Sequence, residues 1–333
     1  MYLAWREMKY YKARYILMVI IMMLMTMLVL FISGLAGGLA RDNISYLERF
    51  SIEQAYMTED SEGSIQKSHI EYDEQVDGQY IGMMQSKAII NNDETGVVVS
   101  SMTSNEQFEA LEAGEVYVSA DLKETLDVGD EIEIDQSTNE SNEVHKFIVK
   151  GFEEDFKHSH MNVIAMGQQD FETIYGPIYQ FVLSDQDVSQ LEPYTFDEMT
   201  SHIASYEAEQ LPLNLMVITL FIIASIVLAV FFYIMTIQKQ KQLGVLKALG
   251  RTTMELIINT LIQVMTVTIV GLMISIGLIY IFISLNDDTI PFHLNMNQYI
   301  VLTTLFLSVG LIGALISIIK VSKVDPVEAI GGE

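Results

Sequence analysis

Ile16-Leu-Met-Val-Ile-Ile-Met-Met-Leu-Met-Thr-Met-Leu-Val-Leu-Phe-Ile-Ser-Gly-Leu-Ala-Gly-Gly-Leu39 contains no charged side chain. At 1.5 Å rise per residue such a helix spans the roughly 30 Å hydrocarbon core of a bilayer. Three further runs of this kind follow, so the spans are placed at 16–40, 211–237, 254–285 and 299–320. Between the first and second lies a long polar stretch, 41–210, whereas the others are separated only by 238–253 and 286–298. The expectation is four membrane helices with one large domain inserted between the first two. The run 16–39 is longer than the h-region of a signal peptide, so it is read as a retained anchor.

Charge sets the expected orientation. Arg6, Lys9, Lys12 and Arg14 precede the first span, Lys239, Lys241, Lys247 and Arg251 lie between the second and third, and Lys320 and Lys323 follow the fourth. The 286–298 loop has Asp287 and Asp288 and no Lys or Arg. Cations remain cytoplasmic, so both termini are expected inside a plasma membrane and 41–210 outside. Residues 42–210 hold 37 Asp or Glu against 7 Lys or Arg, which accounts for the net charge of −26. That balance argues against nucleic acid as a partner and suits a well-solvated surface. The chain has no cysteine, which excludes disulfides, thiolate ligands and thiol catalysis.

The insert reads as α/β. Strand signals fall at Ala88–Ile90, Gly96–Ser100, Val116–Val118, Asp130–Ile134, Lys146–Val149 and Asn162–Ala165, with helical patterns at Asn105–Leu111 and Ala120–Leu126. Arg41–Phe50 and Ser201–Gln210 read as helical stalks. Residues 1–15 mix Trp5, Tyr10 and Tyr11 with cations, the composition of a cytoplasmic interfacial helix in contact with membrane lipids. His158-Ser-His160 is the one histidine pair at close spacing; no third ligand is evident and no metal site is assigned.

The link Gln238–Thr253 places Leu243, Leu246 and Leu249 near helical period among cations, with Gly250 as a stop signal. Its core, Gln242-Leu-Gly-Val-Leu-Lys-Ala-Leu-Gly250, resembles the coupling segment of the FtsX/MacB-type permeases of ABC transporters. Lys323-Val-Asp-Pro-Val-Glu-Ala-Ile330 in the tail 321–333 is similar to the ending of those permeases. Gly114–Ser119, Val128–Ile134 and Phe147–Phe152 look like their periplasmic core domain. A narrower resemblance, to the haem-export permeases of Gram-positive bacteria, rests on Leu30–Ser45, Ile203–Asn214 and Phe231–Lys239.

The resemblance implies a homodimer docked on a separate cytoplasmic ATPase subunit that binds the ATP. The chain has no Gly-x-x-x-x-Gly-Lys-Ser/Thr phosphate loop of its own, so it is expected to be a transport subunit and not an enzyme. Leu243, Val245, Leu246, Lys247 and Leu249 are the candidates for the ATPase contact. Gly34 and Gly38 form a small-xxx-small pattern and are the candidates for dimer packing. Haem is expected as transported substrate, with no resident cofactor. Tyr46, Glu48, Tyr206, Glu207 and Glu209 are its candidate polar contacts, and Phe31, Phe50 and Met216 its candidate apolar ones. The alternatives are export of an antimicrobial peptide, lipid or lipoprotein, or mechanical signalling to a cell-wall hydrolase.

Overall fold

The computed structural model describes residues 2–73, 76–102, 111–135, 144–286 and 290–322. Of the helical pattern Asn105–Leu111 only Leu111 is described, and it is not helical; the rest of that pattern, Asp287, Asp288 and the tail motif from Lys323 onward lie outside the described residues. The chain divides into two units, one formed by Met1–Gly37 and Leu213–Glu333, the other by Gly38–Pro212.

In the first unit, α1 (Tyr2–Tyr10) is followed after a one-residue break by α2 (Lys12–Glu48). The unit's other elements need the labels of two short helices of the second, α3 (Gln168–Tyr175) and α4 (Phe196–Ser201). Then come α5 (Ala204–Gln238), α6 (Gln240–Ala248), α7 (Thr253–Leu285) and α8 (Met296–Ser322). α2, α5, α7 and α8 are each long and apolar enough to cross a membrane. Their shared core includes Met22, Leu30, Leu228, Phe232, Val264, Val267, Phe306 and Ala314.

The junction between α6 and α7 is written in short-range chemistry. Gly250 adopts φ +91°, a conformation that L side chains rarely enter, and stops α6. Two residues later Thr252 accepts from the backbone N–H of Glu255 while the Glu255 carboxylate accepts from the N–H of Thr252, a capping box that starts α7.

The second unit is built on a seven-stranded sheet whose six longer strands are β1 (Met83–Ile90), β2 (Asp93–Met102), β3 (Glu115–Ser119), β4 (Glu131–Asp135), β5 (Val144–Glu153) and β6 (Met161–Gly167), with the two-residue strand Lys157–His158 paired to β6. Their order is β2-β1-β4-β5-β3-β6, and β6 pairs back on β2 in parallel, Asn162 opposite Val97 through Gly167 opposite Met102. The sheet is therefore closed. Period-two alternation fills its interior with Ala88, Ile90, Val97, Val99, Val116, Val118, Ile132, Ile134, Phe147, Val149, Ile164 and Met166, and Phe171 and Ile174 of α3 join them.

The opposite face of the same strands supplies a second core. Met83, Val98, Tyr117, Val163 and Ala165 pack there with Ile44, Tyr46, Leu47, Phe156, Phe181 and Met199. A four-stranded sheet of short segments, in the order Glu192–Tyr194, Ala55–Met57, Phe181–Leu183 and Gln79–Ile81, lies beside the barrel in sequence. The pattern Ala120–Leu126 forms a single 3₁₀ turn, Ala120–Glu124.

Candidate functional site

Within the second unit, the end of α2 is held by the turn that joins β5 to β6. Three of that turn's residues, Asp155, Ser159 and His160, have positive φ, which curls the chain around the helix. Arg41 pairs with Asp155, Arg49 with Glu153 at 3.0 Å, and Asp42 with Lys157 at 3.3 Å. The backbone N–H of Ser159 donates to the carbonyl of Asn43 at 3.0 Å, and that of His160 to the carbonyl of Asp42 at 3.1 Å. Ser45 Oγ accepts from the Lys157 N–H at 3.1 Å. Beneath these polar ties Phe156 meets the Tyr46 ring edge-on, with centroids 4.9 Å apart.

The start of α5 joins the same turn. His160 Nε2 lies 3.0 Å from both carboxylate oxygens of Glu209, and Asn43 Nδ2 lies 3.0 Å from His160 Nε2 and 3.3 Å from Glu209 Oε2. Ser205 donates to Asn43 Oδ1. One carboxylate, one imidazole and one amide thus close a half-buried polar clasp. His160 was visible in sequence only as half of a histidine pair; nothing in its neighbourhood announced Asn43 or Glu209.

His158 and His160, two apart in sequence, do not share a strand face. A strand alternates only while φ stays negative, and the positive φ at Ser159 and His160 breaks it. His158 is buried, and its Nδ1 has no hydrogen-bond partner among the described residues. Among those residues no three His, Asp or Glu side chains are grouped to hold a metal.

Burial pushes the His158 imidazole down to about 4 from an ordinary 6.5. The unfolded chain therefore binds a proton below pH 6.5 that the folded unit refuses until about pH 4. Stability is expected to fall across that window as pH drops, by on the order of 3 kcal/mol from this residue. Chemical denaturation of the full chain at pH 7 and pH 4.5, followed by hydrogen exchange in β6, measures it. His158→Phe is expected to reduce the pH dependence; an unchanged slope would refute the assignment.

The other sequence candidates are dispersed. Tyr46 is a core residue, 1 % exposed, so it is a packing group and not an accessible ligand; the apolar cluster around it takes up its ring. Glu48 and Glu207 are exposed, and Tyr206 is half-buried, within electrostatic reach of Glu48. Phe50 packs on the same core and lines a groove of about 910 Å³ shared with Tyr72, Tyr80, Glu53, Asp77 and Asp185. In the first unit, Phe31 packs edge-on against Phe282 and beside Phe292, whereas Met216 is exposed.

Gly34 accommodates a neighbour from its own chain. A Cβ there would lie 2.2 Å from the Phe292 ring, and one at Gly37 would lie 2.3 Å from the His293 carbonyl oxygen. The His293 N–H also donates to the Gly34 carbonyl at 2.9 Å. The close approach that this glycine permits is thus to the 290–295 segment, and not to a surface left open for a second copy. Gly38 is buried as well.

The α6 candidates divide by face. Leu243 is buried against Leu256 of α7, with Leu246 and Ile257 packed beside them. That corrects Leu243 from a partner contact to an internal anchor. Val245 and Leu249 are 45 % and 77 % exposed, and Lys247 is half-buried.

Residues 214–326 match the family described as FtsX-like permease, C-terminal. The chain is 34 % identical over 354 aligned residues to a Staphylococcus haemolyticus protein bearing the name hemin transport system permease protein HrtB, covering 100 % of this chain and 99 % of the relative. An HrtB-named protein of Staphylococcus epidermidis is 35 % identical over 350 residues with the same coverage.

Proposed function

From the premise that this chain belongs to the FtsX-like permeases of ABC transporters, we propose that it exports haem from the membrane, driven by a separate ATPase subunit. Membership makes it a multi-pass transport subunit with an ATPase partner. The observation that supports haem as substrate is the end-to-end identity with relatives named for hemin transport.

In this reading the permease is a homodimer in the plasma membrane, with both termini cytoplasmic and 41–210 outside, as the distribution of Lys and Arg favours. ATP and its hydrolysis belong to the partner. Haem partitions into the bilayer, enters laterally between the first and second membrane helices, and is expelled outward when ATP binding draws the helices together. Glu48, Glu207 and the Tyr206 hydroxyl are the accessible oxygen donors for ferric iron, and Phe50 is the aromatic contact. Carboxylate and phenolate oxygens are hard donors, which suit the hard Fe(III) ion.

The test is titration of haem into the full chain co-purified with its ATPase, recording Soret absorbance and ATP hydrolysis. A saturable Soret shift, weakened at least tenfold by Glu48→Gln together with Tyr206→Phe, and stimulated hydrolysis are expected. Absence of both responses would reject haem.

A second reading, export of a cationic amphipathic peptide, is favoured by the groove beside Phe50. Its Glu53, Asp77 and Asp185 carboxylates suit a cation, and its Tyr72 and Tyr80 rings an apolar face. Stimulation of hydrolysis by such a peptide and not by haem would select it.

A further inference from the structure

Lys239 is the single residue between α5 and α6, yet it is 2 % exposed. Its neighbours in sequence behave differently: Lys241 is exposed, as a long cationic side chain beside a membrane ordinarily is. The Lys239 ammonium is 2.6 Å from Glu7 Oε1 of α1, and it donates to the Tyr15 hydroxyl of α2 and to Gln263 Oε1 of α7 at 2.5 Å each. The second Glu7 oxygen accepts from Gln263 Nε2 at 2.7 Å and Asn259 Nδ2 at 3.1 Å. All three ammonium donors and both carboxylate oxygens are thereby used.

The ammonium and the carboxylate are fully engaged, although Asn259 Oδ1 has no partner among the described residues, and a buried charge that loses its partner is costly. Three helices and the α5–α6 junction consequently share one cluster. A second tie runs parallel to it: Gln242 Nε2 of α6 donates to the Tyr11 hydroxyl at 2.9 Å, at the break between α1 and α2. One turn after Lys239, Leu243 anchors α6 to α7. A displacement of α6 is therefore shared with α1, α2 and α7 through the Lys239 cluster, and more weakly through Gln242 and Leu243.

We propose that Lys239 is the positioning residue that converts displacement of α6 into movement of α1, α2 and α7, so that the Lys239–Glu7 pair sets how much transport each ATP drives. This rests on the reading of the chain as an ATPase-driven permease. The pair touches neither substrate nor nucleotide; it acts through the helices it joins.

Two measurements test it. In the first, the charge-free double variant Glu7→Gln/Lys239→Met, which leaves no buried charge unpaired, is co-purified with the ATPase and assayed for hydrolysis and for haem release. Native assembly and hydrolysis are expected, with transport per ATP reduced at least tenfold. Transport per ATP within twofold of native would overturn the proposal, as would loss of the ATPase, which would make the pair purely structural. The second needs no substrate. The chain has no cysteine, so Tyr10→Cys and Gln240→Cys, both at exposed positions, can carry spin labels in the otherwise native full chain with its ATPase. A narrow label-to-label distance that is unchanged by nucleotide is expected, and a broadened, nucleotide-dependent one in the double variant. Identical distributions in both would refute the latch whatever the cargo, whereas a failure of haem transport alone in the native chain would refute only the substrate.

Discussion

Changing Val245 and Leu249 together to Glu is expected to release the ATPase from the permease and abolish ATP-driven transport while the chain remains folded. Val245 lies on α6 and Leu249 caps its end four residues on, its N–H donating to the Val245 carbonyl at 3.0 Å, so the two share a face, and both are exposed. Burying two such side chains in a partner groove contributes about 4 kcal/mol, roughly three orders of magnitude in Kd. Two carboxylates there would forfeit that burial and add desolvation. Leu243→Ala is the contrasting change: it removes the buried contact with Leu256 and loosens α6 from α7 without touching the exposed face. Co-purification with the ATPase distinguishes them. Retention of the partner by the double Glu variant would remove this face from the interface.

Phe156→Ala is expected to be the most damaging single change in the second unit, costing about 3–5 kcal/mol. The ring is 1 % exposed, meets Tyr46 at an interplanar angle of 89°, and lies beneath the Arg49 guanidinium, 5.1 Å from its centroid. Its removal opens a cavity at the point where the β5–β6 turn closes over α2. Hydrogen exchange in β6 should report the loss, with protection falling by two to three orders of magnitude or more, as about 1.4 kcal/mol per tenfold requires. A loss under about 1 kcal/mol would show that the surrounding side chains collapse into the space.

What could be read from the sequence was what repeats locally. The four membrane helices are continuous apolar runs, and the six longer strands of the barrel are the six segments rich in β-branched residues, such as Val97-Val-Val99 and Ile132-Glu-Ile134, whereas the two-residue strand Lys157–His158 gave no signal. The short strands Ala55–Met57, Gln79–Ile81 and Glu192–Tyr194 gave no signal, because three residues contain hardly one period and their pairing partners supply the order. Helix α3 escaped notice because eight polar-rich residues bury only Phe171 and Ile174.

The site was less legible for a different reason. Leu243 and Leu249 are equally apolar, and only the fold turns one toward Leu256 and the other to the surface. Gly34 offered a close approach without naming Phe292 as its neighbour. The clasp of Asn43, His160 and Glu209 assembles residues 49 to 166 positions apart, a separation that no local pattern encodes. Lys239, likewise, looked like one more cation in a basic loop.

The order of strands in the barrel also bears on how the protein is made. The ladder that closes the sheet joins Val97 to Asn162 and continues to Met102 and Gly167. It cannot form until the ribosome has produced the last of these residues. The β1–β2 hairpin is available early, whereas the parallel seam bears the entropy of closing the long intervening chain. Until Gly167 emerges, β2 retains an unpaired edge, and a nascent chain halted before that point would present this edge to its neighbours as a template for association.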